Sequence, residues 1–249
     1  NQQKKYSVSK TSVVLFIDEF THYMDVSIGK DAIDLLLALG YEVQLWKGES
    51  GRTFLSKGFL KQAQSLALTN MESLSVFLDK DLSIVGLEPS AILSFRDEYA
   101  RLLPNDPRVT KLSKSSFLIE EFLSNAIAKS DIGPAFFTKK EKNIKVHVHC
   151  HQKSLSNQKV TFDLLNLPEN YQVRLIPSGC CGMAGSFGYE KEHYELSMKV
   201  GELTLFPAVR KAEGETVIVA NGTSCRHQIK DGTQREAKHP VTILKEALL

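Results

Sequence analysis

Short apolar runs alternate along this chain with longer segments of helical periodicity. Val13-Val14-Leu15-Phe16-Ile17 is a continuous β-rich run, the pattern of a strand covered on both faces. Residues 31–39 carry apolar side chains at helical spacing and end at Gly40, a residue suited to stopping a helix. Tyr41-Glu42-Val43-Gln44-Leu45-Trp46 then alternates as a strand does. Residues 56–70 and 115–130 are expected to be helices, with the short apolar run Ser83-Ile84-Val85-Gly86 between them.

The pattern then repeats. Val146-His147-Val148-His149-Cys150 parallels the run ending at Asp18, and Tyr171-Gln172-Val173-Arg174-Leu175-Ile176 parallels the strand from Tyr41. Val217-Ile218-Val219-Ala220 parallels the run from Ser83. Asp18 to Glu49 is 31 positions and Cys150 to Cys180 is 30, while Ser50 to Ala91 is 41 and Cys181 to Cys225 is 44. Ordered matches at nearly equal spacing indicate a duplication. Each half is expected to run strand, turn, helix, strand, turn, helix, strand, helix. Residues 190–205 and 242–249 supply the last helices of the second half. The expected fold class is α/β, with two pseudo-twofold-related βα repeats, each a small parallel sheet flanked by helices. The first repeat is placed at 11–135 and the second at 144–249. The mixed-charge run Lys139-Lys140-Glu141-Lys142 lies at the junction, which is too short for a free linker.

Composition narrows the classes. The chain has 249 residues, 42% hydrophobic and 24% charged, with a net charge of +2. These are values of an ordinary globular protein with a sizeable core. No dense basic block interleaved with aromatics occurs, so nucleic acid is not an expected partner. No apolar stretch approaches the length of a transmembrane helix, and no signal peptide is evident. The first residue is Asn, so processing or a fragment of a longer protein is expected. Reduced thiols in the cytoplasm are the expected context, with peripheral association at the inner membrane face as a variant.

All four cysteines lie in the second half, as Cys150, Cys180, Cys181 and Cys225. Each sits in a run that reads as a turn after a strand, and sites in parallel sheets form at the carboxyl ends of strands. A disulfide framework does not suit adjacent Cys180 and Cys181. A single free cysteine most often fills space in a core, but four at three repeat-equivalent turns point to a thiolate metal centre. Soft sulfur ligands favour zinc, copper(I) or iron–sulfur clusters, and spacing alone does not choose among them. His149, His151, His227 and His193 are candidate further ligands or hydrogen-bond donors to sulfur; His22 and His239 have weaker claims. Gln228 stands three residues after Cys225, where a CxxC pair would place another thiol. A metal-free thiol enzyme, with Cys180 or Cys181 as nucleophile or redox dithiol, is a separate possibility.

The runs His149-Cys150-His151-Gln152-Lys153, Gly179-Cys180-Cys181-Gly182-Met183-Ala184-Gly185 and Ser224-Cys225-Arg226-His227-Gln228 resemble the cysteine-rich CCG domain. That domain occurs in tandem in heterodisulfide reductases, the iron–sulfur subunit of glycolate oxidase, anaerobic glycerol-3-phosphate dehydrogenases and lactate-utilisation proteins. The resemblance covers nearly the whole chain, and is closest to the C-terminal module of FAD-linked D-lactate or D-2-hydroxyacid dehydrogenases with fused iron–sulfur domains. It implies a [4Fe-4S] cluster held by Cys150, Cys180, Cys181 and Cys225, with zinc as the alternative. It also implies FAD-binding and ferredoxin-like domains or subunits as partners, FAD on those rather than here, and an acceptor such as a quinone. The chain alone is not expected to oxidise a hydroxy acid. Two departures stand out. Gln228 replaces a fifth thiol, and the first half carries Glu49-Ser50-Gly51-Arg52 and Pro89-Ser90-Ala91 in place of cysteine motifs, so one centre is expected rather than two. Ser50, Arg52, Glu49 and Glu88 are expected at the pseudo-symmetric mouth. Arg52 is a candidate for a substrate or partner carboxylate or a surface salt-bridge former. The rival functions are a zinc-stabilised interaction domain and a metal-free thiol redox protein.

Overall fold

A computed structural model describes residues 11–249. The first half runs β1 (Ser12–Ile17), α1 (Glu19–Tyr23), α2 (Val26–Ala38), β2 (Glu42–Lys47), α3 (Arg52–Ser56) and α4 (Leu60–Leu78). It continues through β3 (Ser83–Gly86), α5 (Pro89–Ile92), α6 (Glu98–Leu102), α7 (Arg108–Ser115), β4 (Ser116–Leu118) and α8 (Ile119–Ala128). The second half runs β5 (Lys142–His147), α9 (Cys150–Leu155), α10 (Gln158–Leu165), β6 (Tyr171–Leu175), α11 (Tyr194–Glu202) and α12 (Leu205–Arg210). It ends with β7 (Val217–Ala220), α13 (Thr223–Thr233), β8 (Ala237–Lys238) and α14 (Pro240–Ala247).

The two halves build the same parallel sheet. The first has strand order β2-β1-β3-β4 and the second β6-β5-β7-β8. This is the expected fold class, two parallel sheets flanked by helices. Alternation along the central strands sorts side chains between two faces. Val13 and Leu15 of β1, and Ile144 and Val146 of β5, join one core that runs through both halves. There α2 packs on α14 and α8 on α10, so the helices between the sheets belong to both repeats. Val14 and Phe16 face the outer core of the first half, with Trp46, Phe95 and Tyr99. The outer core of the second half holds Ile176, Met183, Phe206 and Ile229, together with Cys181 and Cys225. Each fully buried aliphatic side chain contributes about 1.5–3 kcal/mol, and the shared core holds the two sheets against each other.

Several elements differ from the sequence expectation. A fourth strand, β4 or β8, closes each sheet where three had been expected. Residues 116–118 are strand rather than helix because they pair with β3, and Arg96 anchors the Ser116 carbonyl at 2.9 Å. The helix expected over 56–70 divides at Gly58, whose φ of +76° ends α3 before α4 begins. The helix expected over 190–205 also divides. Pro207 lies in the first turn of α12, and its ring excludes a continuous helix through Leu203.

Strand register corrects one equivalence. Leu15 pairs with Leu45 and Val85, as Val146 pairs with Leu175 and Val219. Counting on from that match, Phe16 corresponds to His147, Asp18 to His149, and Glu19 rather than Asp18 to Cys150. The local structures agree: Asp18 and His149 both cap the helix that follows with a side-chain acceptor.

Candidate metal centre

Three strand ends deliver the thiols. His149 caps α9, its Nδ1 accepting the His151 N–H at 3.1 Å, which sets Cys150 at the first helical position. Cys180 and Cys181 lie in the loop after β6. The next residue, Gly182, has φ +106°, and a Cβ there would meet the Ser197 carbonyl oxygen at 2.1 Å; only glycine fits such a turn. Gln228 ties the adjacent segment down, donating to Ser197 O at 3.1 Å and Ser197 Oγ at 2.9 Å. Cys225 sits in the first turn of α13, rather than in a free turn. The first half completes that helix end, where Thr223 N donates to Glu88 Oε2 at 2.7 Å.

The four free thiols form a row. Cys150 neighbours Cys180, Cys180 neighbours Cys181, and Cys181 neighbours Cys225. Cys150 and Cys180 are half-buried, while Cys181 and Cys225 are buried. His147 closes the buried end. Its ligand nitrogen and the Cys181 and Cys225 sulfurs lie within 4.8 Å of one another. His147 Nδ1 sits 2.7 Å from Ser178 Oγ; among the described residues His147 Nε2 is buried with no nitrogen or oxygen partner, and the ring interacts with the Cys225 thiol.

The electrostatics of this row follow from its neighbouring thiols. Hydrogen bonds along the row push the Cys180 and Cys225 thiols down and their donors, Cys150 and Cys181, up. Neighbouring thiols thus share protons, because four thiolates side by side repel one another. Lys153 is a nearby cation, held by its Nζ on Ser178 O at 2.5 Å. Burial lowers its pKa while the four sulfurs act to raise it. Metal ligation would require all four as thiolates, which one lysine would not balance and a polyvalent metal centre would. Together with the orphaned His147 nitrogen, the donor set fits a soft, thiolate-bound metal.

The remaining predicted residues divide. His149 is positioned at the site, but its Nδ1 is engaged as a helix cap and its Nε2 lies 3.9 Å from Glu88 Oε1. Burial acts to raise Glu88, but His149, the Thr223 N–H, Ser90 and Arg226 hold it below the usual carboxylate range. His151 stacks on His149 at 5.4 Å and lies 3.9 Å from Glu98; its donor, with those of His149 and Cys150, also falls within 4.8 Å. His227 bonds Tyr189 Oη at 2.6 Å, and His193 pairs with Glu190 at 2.7 Å. His22 packs edge-on against Tyr23. His239 is buried between the Val241 N–H and the Leu87 carbonyl. Arg52 forms an ion pair with Glu98, so its charge is already engaged.

Every thiol position has a counterpart in the first half, and none carries sulfur. Strand register sets Glu19 where Cys150 stands and Ala91 where Cys225 stands, while matching the left-handed Gly51 to Gly182 sets Glu49 and Ser50 where Cys180 and Cys181 stand. Phe16 replaces His147 and stacks on Phe95 at 5.1 Å. Sequence reasoning missed His147, Ser178, Lys153 and Glu19. A signal for His147 existed. It is an imidazole alternating with Val146 and Val148 at the carboxyl end of a strand, three residues before a cysteine.

No protein-family model matches the chain. Among curated proteins, the chain is 29% identical over 252 residues to the C subunit of anaerobic glycerol-3-phosphate dehydrogenase from Escherichia coli K12, covering 99% of this chain and 61% of that one. It is 29% identical over 242 residues to D-2-hydroxyglutarate dehydrogenase of Pseudomonas putida, covering 94% of this chain and 22% of the relative. It is also 27% identical over 184 residues to lactate utilization protein A of Bacillus subtilis, covering 70% and 74% respectively. The chain therefore spans about three fifths of the first relative and about a fifth of the second.

Proposed function

We propose that this chain is the electron-transfer module of a flavin-linked oxidoreductase that acts on a 2-hydroxy acid or a related alcohol. Its centre is an iron–sulfur cluster of the [4Fe-4S] type, held by Cys150, Cys180, Cys181 and Cys225. The observation that carries this reading is the row of four neighbouring thiols, with its orphaned imidazole, at the carboxyl ends of β5, β6 and β7. The relatives support it from a second direction. Their names are those of dehydrogenases or their subunits for glycerol-3-phosphate and D-2-hydroxyglutarate, and of a lactate utilisation protein. The three-run resemblance to the CCG domain agrees with both.

Such a cluster supplies one-electron transfer at a potential set by its ligands and surroundings. The chain's own residues do the rest. The half-buried Cys150 and Cys180 mark the side from which an electron donor or acceptor approaches. The buried Cys181 and Cys225, packed among Met183, Phe206 and Ile229, exclude water from the other side. Lys153 offsets part of the thiolate charge. In this reading the alcohol is oxidised on a separate flavin-bearing domain or subunit, and the electrons pass through this chain toward an acceptor such as a quinone.

Elemental analysis of protein prepared without oxygen tests the reading. Iron and acid-labile sulfide with a brown colour are expected, and both are lost in Cys180→Ser and Cys181→Ser. Zinc alone at one equivalent would support an interaction domain instead. A metal-free, colourless protein that cannot be reconstituted would overturn both readings.

A further inference from the structure

We infer that His147 is a nitrogen ligand of the metal centre, a fifth protein donor beside the four thiols where Gln228 provides none, so that one metal of the centre carries two protein ligands. The inference rests on the proposed metal centre and names a donor that the cysteine pattern does not contain. Three observations on different links of the structure converge on it.

The first is the unused nitrogen. His147 is buried, and among the described residues its Nε2 has no nitrogen or oxygen partner. Cys181 and Cys225 lie with a His147 ring nitrogen in a group whose donor atoms are all within 4.8 Å. A buried polar atom without a partner carries a desolvation cost, and a bound metal removes that cost.

The second is the way the ring is held. Nδ1 lies 2.7 Å from Ser178 Oγ, and Lys153 grips the carbonyl of the same serine. With the Nδ1–H donated to the hydroxyl, Nε2 keeps its lone pair for a metal. Metal-bound histidines are commonly oriented this way, one nitrogen on the metal and the other on an oxygen. The bond formed is from the Nε2 lone pair to the metal. The imidazole stays neutral with its proton on Nδ1, and no redox change is involved.

The third is the internal repeat. Where thiols are absent, the register equivalent of His147 is Phe16, a fully buried ring stacked on Phe95. The imidazole thus accompanies the four thiols and is missing where they are missing. Gln228, at the position of the absent thiol, is committed to Ser197 and offers its amide to the protein rather than to the centre.

The test is pulsed EPR of the 249-residue chain reconstituted without oxygen with iron and sulfide, in its paramagnetic state. A strong coupling to one directly bound nitrogen is expected. It should disappear in His147→Gln and persist in His149→Gln, with iron content read in parallel. His147→Cys should retain iron and lower the midpoint potential, because an anionic thiolate replaces a neutral ligand. If His147→Gln fails to fold, as judged by circular dichroism, the His147→Cys comparison decides. A loaded centre with no nitrogen coupling, or a coupling that survives in both His147 variants, overturns the assignment and leaves the metal centre standing. A chain that takes up no iron overturns the proposed centre and the His147 ligand together.

Discussion

Ser50 donates both its backbone N–H and its hydroxyl to the carboxylate of Glu19, at 2.8 and 2.6 Å. Strand register sets Glu19 in the place of Cys150, and Ser50 precedes the left-handed Gly51 as Cys181 precedes the left-handed Gly182. Tyr99 and Asn70 complete the cluster, bonding the Ser50 and Glu49 carbonyls at 3.2 and 2.7 Å. The first half thus carries, where the second has thiols, a set of polar groups that satisfy one another. Ser50→Ala should destabilise the fold by about 1–3 kcal/mol, since it leaves a mostly buried carboxylate short of a donor. Metal content should not change. Urea denaturation with elemental analysis checks both, and a variant that loses metal would contradict the view of this half as closed.

The burial gradient along the thiol row predicts an order of chemical reactivity. In metal-free, reduced protein, Cys150 and Cys180 should be alkylated by iodoacetamide well before the buried Cys181 and Cys225. Loading the centre should protect all four. Peptide mass spectrometry at a series of quench times reads the order. Equal rates at Cys150 and Cys225 would show that the row is open from both ends.

Gly182 and Gly179 flank the cysteine pair but carry different constraints. A Cβ at Gly182 meets a backbone oxygen at 2.1 Å in a left-handed conformation, whereas a Cβ at Gly179 has nothing within 4 Å. Gly182→Ala should cost about 2 kcal/mol or more and reduce metal retention. Gly179→Ala should be close to neutral. Thermal melts and metal stoichiometry of the two variants side by side make the comparison.

Glu120 predicts a pH dependence. It is fully buried, accepts from Asn221 Nδ2 at 3.1 Å through one oxygen, and leaves the other without a partner. Burial pushes its pKa up to about 7, against about 4.3 for an unfolded chain. A raised carboxyl pKa means that the folded state holds the proton more tightly, so this contribution is fully present below about pH 4 and is lost as pH rises through about 7. Glu120→Gln keeps the Asn221 contact and removes the titration. It should stabilise the protein by about 1–3 kcal/mol at pH 8 relative to pH 4. Chemical denaturation at the two pH values gives the answer, and an unchanged difference between variant and parent would rule out Glu120 as the titrating group.

The sequence by itself determined the two-repeat plan, the parallel α/β class and the place of the four cysteines at strand ends. Those properties are written locally. Apolar runs such as 13–17 set strands, Gly40 stops a helix, and the glycine beside Cys180-Cys181 allows a turn that no other residue fits. The edge strands β4 and β8 were not legible, because a two- or three-residue strand exists only by pairing with a neighbour. Nor was the exchange of Glu19 for Cys150, which strand register establishes and residue spacing misplaces by one. The tertiary structure alone decided that His147 meets Cys181 and Cys225. Strand alternation fixes the face on which an imidazole stands, but only the folded sheet, with the loop after β6 and the start of α13 packed over it, brings sulfur from 34 and 78 residues away to that nitrogen.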